Sequence, residues 1–247
     1  DLVEQMIRVA DGQPLPFQQS DLKINGWAME SRLYAEDPYR NFLPSIGRLT
    51  RHRPPVEGKT ARGGVVRNDT GVYEGGEISM FYDPMIAKLC TWGPTRADAI
   101  EEMRLALDTF EVEGIGHNLP FCSAVMDHPR FASGNITTAF IAEEYEGGFT
   151  GATLDASLLR RVAAAAAAMN RVARISGTMD NHTRRVGDDW VVSLQGESWP
   201  VRVMADPAGS TVVFDDGTDL RVESDWTPGQ LLARLTVGGE PLVIKTA

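Results

Sequence analysis

Arg67 is the side chain in this sequence whose neighbours best prepare it for chemistry. It follows a glycine pair in Gly63-Gly64-Val65-Val66-Arg67-Asn68-Asp69. Two glycines let a backbone or a ligand come close. An arginine on the strand after them presents a planar fork of donors to a carboxylate, a phosphate or an enolate oxygen. The competing reading is an ordinary ion pair with Asp69 or Glu30. A second dense segment is Tyr82-Asp-Pro-Met-Ile-Ala-Lys88. Asp83-Pro84 fixes a turn there, and Lys88, within an apolar strand, either snorkels outward or is paired. His52, His117, His128 and His182 are scattered without the spacing of metal ligands, so they are read as solvent-facing or structural and no metal site is assigned. There is no P-loop and no Gly-x-Ser-x-Gly elbow. A self-contained hydrolytic triad is therefore not expected. Cys90 and Cys122, the only cysteines, are flanked by apolar residues and read as buried free thiols in a reducing compartment.

The elements that must position these residues differ between the two halves of the chain. Leu2, Met6 and Val9 repeat at helical spacing ahead of the stop Asp11-Gly12. Trp27 to Tyr34 alternates as a strand, with Trp27, Met29, Ser31 and Leu33 on one face. Shorter strands are expected over 47–52, 65–69, 78–82 and 85–91. Thr95 and Asp98 carry the polar chemistry of a helix start. Ile100, Met103, Leu107 and Phe110 then give that helix its apolar stripe. Shorter helices are expected over 119–126 and 138–145. This half is α+β.

Gly147-Gly-Phe-Thr-Gly151 is a flexible break. A helix over about 155–170 follows, with six consecutive alanines from Ala163 to Ala168. Alanine needs no room and has the highest helix propensity, which suits either a close approach of other backbone or a plain linker helix. From Val172 the period changes to two. Short strands are expected over 190–194, 199–204, 211–214, 219–222, 232–237 and 242–246. The turn signals Asp188-Asp189, Pro207-Ala-Gly209, Asp216-Gly217 and Gly238-Gly239 separate them. Such spacing predicts a closed or sandwiched antiparallel sheet.

The sequence has 247 residues, 43% apolar and 23% charged, with a net charge of −10. That length holds one large domain or two ordinary ones, and the division expected is 1–148 and 149–247. The acidic balance argues against a nucleic-acid surface. No apolar run approaches the length of a membrane span. Asn135-Ile-Thr137 and Asn181-His-Thr183 match the glycosylation acceptor pattern and are read as chance. The first residue is Asp1 and the last strand runs to the chain end, so the sequence is expected to be a piece of something larger.

Five runs carry a resemblance: Glu30-Ser-Arg-Leu-Tyr-Ala-Glu-Asp-Pro38, Leu43-Pro-Ser-Ile-Gly47, Val66-Arg67, Tyr82-Asp-Pro-Met-Ile-Ala-Lys-Leu89 and Gly114-Ile-Gly-His-Asn118. In this order they resemble the C-terminal part of the biotin carboxylase component of biotin-dependent carboxylases. His117-Asn118, Thr138-Ala-Phe-Ile141 and Tyr145-Glu-Gly-Gly-Phe149 incline the resemblance to the α subunits of the propionyl-CoA branch rather than the methylcrotonyl-CoA branch. The second half is then similar to the BT domain of such subunits, a long helix packed with an antiparallel β-barrel.

The resemblance implies a function. Arg67 falls where the family has an arginine that contacts biotin and stabilises its enolate. Ile136 falls where the family lines the adenine pocket of ATP. Magnesium and ATP are implied to be held mainly by an ATP-grasp domain outside this sequence, and biotin by a carrier domain with a Met-Lys-Met motif. Met179-Asp and Ile244-Lys-Thr do not replace that motif. The implied partners are the carrier domain and a carboxyltransferase β subunit, the latter through the BT-like half. The chain by itself is expected to be inactive. Two rival readings are a non-catalytic docking scaffold and a small acyl-CoA-binding domain. A bacterial cytoplasm is the expected location, with the mitochondrial matrix as the alternative.

Overall fold

The structure, a computed structural model, describes residues 2–79, 81–151, 154–176 and 186–246. It divides into two compact units, Asp1–Phe149 and Thr150–Ala247. His182, the Asn181-His-Thr183 sequon and Met179-Asp180 lie outside the described residues.

The first unit opens with helix α1 (Leu2–Ala10), none of whose residues is buried. Leu2, Met6 and Val9 on its apolar stripe are exposed. Strand β1 (Trp27–Tyr34) follows, then the short strands β2 (Glu36–Asp37), β3 (Leu43–Pro44), β4 (Gly47–Arg48), β5 (Arg51–Arg53) and β6 (Gly58–Lys59). Next come β7 (Val65–Thr70), β8 (Glu77–Ile78) and β9 (Met85–Gly93), helix α2 (Arg96–Asp108), β10 (Glu111–Glu113), and helices α3 (Leu119–Asp127), α4 (Pro129–Ser133) and α5 (Phe140–Glu144). The expected strand over 47–52 breaks into β4 and β5, and that over 78–82 shortens to β8.

The main sheet is antiparallel in the order β1-β9-β7-β6. Side chains alternate across it. Met29, Thr91 and Val66 form one buried cross-strand row, and Ser31, Leu89 and Asn68 the next. Helix α2 packs on this face. Thr95 caps it: its side chain accepts from the Asp98 N–H while the Asp98 carboxylate accepts from the Thr95 N–H at 3.1 Å. Ile100, Met103, Ala106, Leu107 and, after the helix, Phe110 complete the core with Leu33 and Leu49. Trp27, expected on one face with Met29, Ser31 and Leu33, is half exposed at the start of β1, where the other three are buried.

In the second unit, α6 (Ala156–Ser176) is followed by six strands: β11 (Asp189–Leu194), β12 (Glu197–Asp206), β13 (Gly209–Phe214), β14 (Asp219–Ser224), β15 (Leu232–Val237) and β16 (Glu240–Lys245). They form an antiparallel meander in chain order. Among the described residues β11 and β16 do not pair, so the sheet is a curled half-barrel rather than a closed one. Helix α6 lies against β11 to β15. Ala163, Ala164, Ala165, Ala167 and Ala168 are buried against Val203, Val212, Phe214, Leu235 and Val237. The alanine run thus serves close approach of the sheet, not a bare link. Three arginines fasten the helix: Arg160 to Asp216 and Thr218, Arg161 to Glu240 and the Pro241 carbonyl, and Arg171 to Asp188. The tight turn Gln195-Gly196, both residues at positive φ, joins β11 to β12 and was not anticipated as a turn signal.

Candidate functional site

The face of the main sheet opposite α2 carries charge. Glu30, Cys90 and Arg67 form one cross-strand row, and Arg32, Lys88 and Asp69 the next. The sequence left Arg67 a choice of carboxylate. The structure joins it to Asp69, with Nη2 donating to Oδ2 at 3.1 Å. Glu30 is taken instead by Arg32, whose Nε donates to its Oε1 at 3.0 Å. Arg67 Nη2 also donates to Cys90 Sγ at 3.7 Å. The Asp69 carboxylate, and the sulfur beside it, raise the guanidinium pKa further, so its charge is permanent.

The Arg67 side chain is 64% exposed. Its two interactions both use Nη2. A guanidinium has five N–H donors, so those on Nε and Nη1 are left for a ligand. An anchored, charged donor set open on one side fits an oxygen that carries or gains negative charge. The glycine pair before Arg67 acts differently from expectation. A Cβ on Gly64 would fall 2.5 Å from Glu102 Cγ, so this glycine makes room for a buried α2 side chain rather than for a ligand.

Ile136 lies in the loop between α4 and α5, 39% exposed, just after Gly134, which ends α4 in the left-handed region. Arg67 and Ile136 are thus on different elements. An exposed isoleucine offers an apolar surface and supplies no polar contact that would define a ligand. Among the described residues no group of three His, Cys, Asp or Glu side chains could hold a metal, so the residues present do not fit a magnesium site.

The remaining motif residues build the frame. Asn118 is buried. Its Oδ1 accepts from the Tyr34 N–H at 2.9 Å and its Nδ2 donates to the Arg32 carbonyl at 3.1 Å. Ser45 Oγ accepts from the Gly116 N–H at 2.9 Å. The Ala35 N–H donates to the Pro84 carbonyl, and the Ser45 N–H to the Ala35 carbonyl, each at 2.8 Å. Segments around Tyr34, Ser45, Pro84 and Asn118 therefore converge at the end of β1. His52 is buried with its ring edge-on to Phe110, and burial lowers its pKa. His128 caps α4, its Nδ1 accepting from the Arg130 N–H at 3.2 Å, and its Nε2 faces Glu144. Both are structural.

Cys90 is the residue that sequence reasoning missed. It is half buried, not buried, and it faces Arg67. The signal is the register between β7 and β9, which no single strand carries. Cys122 is also only partly covered as a residue, yet burial of its thiol pushes the pKa up to about 12, so it stays protonated. In the second unit a cleft of about 490 Å³ opens beside Trp190, Pro200 and Phe214. Its Arg202–Asp189 pair closes on itself at 2.7 Å.

Residues 30–143 match the biotin carboxylase C-terminal domain family, and residues 162–247 match the propionyl-coenzyme A carboxylase BT domain family. The chain is similar to the propionyl-CoA carboxylase alpha chain of Ruegeria pomeroyi, with 67% identity covering 99% of this chain and 39% of that protein. It is similar to the mitochondrial propionyl-CoA carboxylase alpha chain of Mus musculus, with 37% identity covering 97% of this chain and 33% of that protein. The chain thus spans between a third and two fifths of the length of these relatives. Among solved structures, the biotin carboxylase subunit of pyruvate carboxylase superposes with a TM-score of 0.54 and 39% identity, over 59% of this chain and 31% of that one. With a biotin carboxylase C-terminal domain in its first unit and a propionyl-CoA carboxylase BT domain in its second, the chain belongs to the biotin-dependent carboxylase family.

Proposed function

We propose that this chain is part of the α subunit of a propionyl-CoA carboxylase. The intact enzyme would use ATP and bicarbonate to carboxylate biotin on a carrier domain, and a carboxyltransferase β subunit would pass the carboxyl group to propionyl-CoA. The 67% identity to a bacterial propionyl-CoA carboxylase alpha chain and the BT-domain match support this reading over a methylcrotonyl-CoA enzyme. A bacterial cytoplasm is the location that accords with the same relative.

The observation that carries the catalytic part is the open donor set of Arg67. Removing the proton from the biotin N1′ nitrogen places negative charge on the ureido oxygen. A fixed guanidinium aimed at that oxygen lowers the cost of the charge without having to reorganise. Arg67 is suited to this because Asp69 and Cys90 restrain it through one nitrogen only. Ile136 is proposed as an apolar wall for adenine. The motif residues around Asn118 hold the sheet that presents the arginine.

The second unit is proposed to dock the β subunit. Its half-barrel keeps two strand edges, β11 and β16, unpaired among the described residues. The same observation favours the scaffold reading, in which docking is the chain's whole role. Two experiments test the proposal. Arg67→Ala in the whole carboxylase is expected to abolish most bicarbonate fixation into propionyl-CoA, and unchanged fixation would leave only the scaffold. This chain mixed with the β subunit is expected to co-elute on sizing, and separate elution would remove the docking role.

A further inference from the structure

We infer that Asp69 is a positioning residue for Arg67, acting with Cys90 as the second rest for the same nitrogen. The inference rests on the reading of Arg67 as the biotin-facing guanidinium.

Arginine is a long, rotamer-rich side chain, and one exposed on a sheet is poorly fixed without a partner. Arg67 and Asp69 are two residues apart on β7, so their side chains leave the same face. Arg67 Nη2 carries two hydrogens. One meets Asp69 Oδ2 at 3.1 Å and the other meets Cys90 Sγ at 3.7 Å, across the ladder where Cys90 lies directly opposite Arg67. The other charged groups of this face have their own places. Glu30, opposite Cys90 on the far strand, accepts from Arg32. Lys88 lies opposite Asp69, between it and Arg32. Asp69 is therefore the only carboxylate that holds Arg67 among the described residues.

This arrangement has a consequence for charge. A carboxylate beside the reacting oxygen would oppose the negative charge developing there. Asp69 engages Nη2, which leaves Nε and Nη1 as the donors for the ligand and keeps the guanidinium between the two anions. Removing Asp69 leaves the arginine charged but loose, and loss of alignment costs rate more than binding.

The test is a double-mutant cycle in the whole carboxylase containing this chain, with Arg67→Ala, Asp69→Asn and the two combined. Asp69→Asn is expected to lower kcat about tenfold with KM for ATP and bicarbonate unchanged. Asp69→Glu should recover most of that loss. The combined variant should be no slower than Arg67→Ala alone, because Asp69 acts only through Arg67. Thermal unfolding of Asp69→Asn checks that the fold is intact, and Asp69→Glu keeps the test readable if the asparagine destabilises the unit. Wild-type kcat in Asp69→Asn, or a combined variant slower by the product of the two single effects, overturns the inference while leaving Arg67 its role. Full activity in Arg67→Ala overturns both.

Discussion

The Glu102 side chain occupies the space that a Cβ on Gly64 would need. Its Cγ, Cδ and Oε1 would stand 2.5, 2.6 and 2.8 Å from that atom. Glu102 is a buried carboxylate on α2, held by Thr60 Oγ1 at 3.0 Å and by Arg62 at 3.7 Å. Thr60 Oγ1 also accepts from the Gly64 N–H at 3.0 Å. Gly64→Ala is therefore expected to destabilise the first unit by about 1–3 kcal/mol through overpacking. Gly58→Ala has open space around its Cβ, so it should show only the strain of its positive φ. Chemical unfolding of both variants checks this.

The alanine face of α6 gives a second expectation. Ala164 has no exposed surface and lies in the cluster formed with the half-barrel. Ala164→Leu should cost about 1–3 kcal/mol, measured as a fall in the denaturation midpoint. If Ala164→Leu leaves stability unchanged, the sheet does not approach the helix as closely as described.

At the start of α2, the Thr95–Asp98 capping box is open to solvent but satisfies two backbone donors. Thr95→Ala should cost about 1 kcal/mol, and Thr95→Ser should recover most of it. Equal stability of the alanine and serine variants would contradict the capping role.

Acid should act on His52 and on the second unit's Asp206 and Asp216 in separate windows. Burial lowers the His52 pKa from 6.5. Above 6.5 the imidazole is neutral in both folded and unfolded chains. Below 6.5 the unfolded chain takes up a proton that the fold resists, so stability falls as pH falls, by at most about 1.4 kcal/mol per pH unit. His52→Leu should flatten that dependence. In the second unit, hydrogen bonds from Arg221 hold Asp206 down at about 2, and those from Arg160 hold Asp216 below the usual carboxylate range. Their stabilisation is full above the ordinary 3.8 and is lost as pH falls through the lowered values. These pairs are partly exposed, so the effect is modest. Unfolding of each unit followed by its own probe across pH 7 to 2 checks both windows.

Much of this was legible because local patterns were strong. The alternation of Met29, Ser31 and Leu33, the stripe from Ile100 to Phe110 and the turn Gly238-Gly239 each reappear as structure. Packing between segments was not legible. The choice of Asp69 over Glu30 for Arg67 depends on the sheet order, which puts Asp69 on the same strand and face and Glu30 on the strand beyond Cys90. The placement of Cys90 depends on the β7–β9 register. Gly64 read as room for a ligand because α2, which fills that room with Glu102, lies some 40 residues away in sequence. The exposure of Trp27 likewise follows from where the buried face ends, which the alternation does not mark.

Arg67 is proposed to serve the carboxylation of biotin and not the transfer to acyl-CoA. The direct measurement separates these half-reactions in the whole carboxylase carrying Arg67→Ala. Labelled bicarbonate reports carboxylation of biotin, and decarboxylation of the acyl-CoA product onto biotin reports transfer in reverse. Labelling is expected to fall by about a hundredfold or more while reverse transfer keeps its wild-type rate. Labelling at the wild-type rate, or equal loss of both half-reactions in a folded, assembled enzyme, would contradict it.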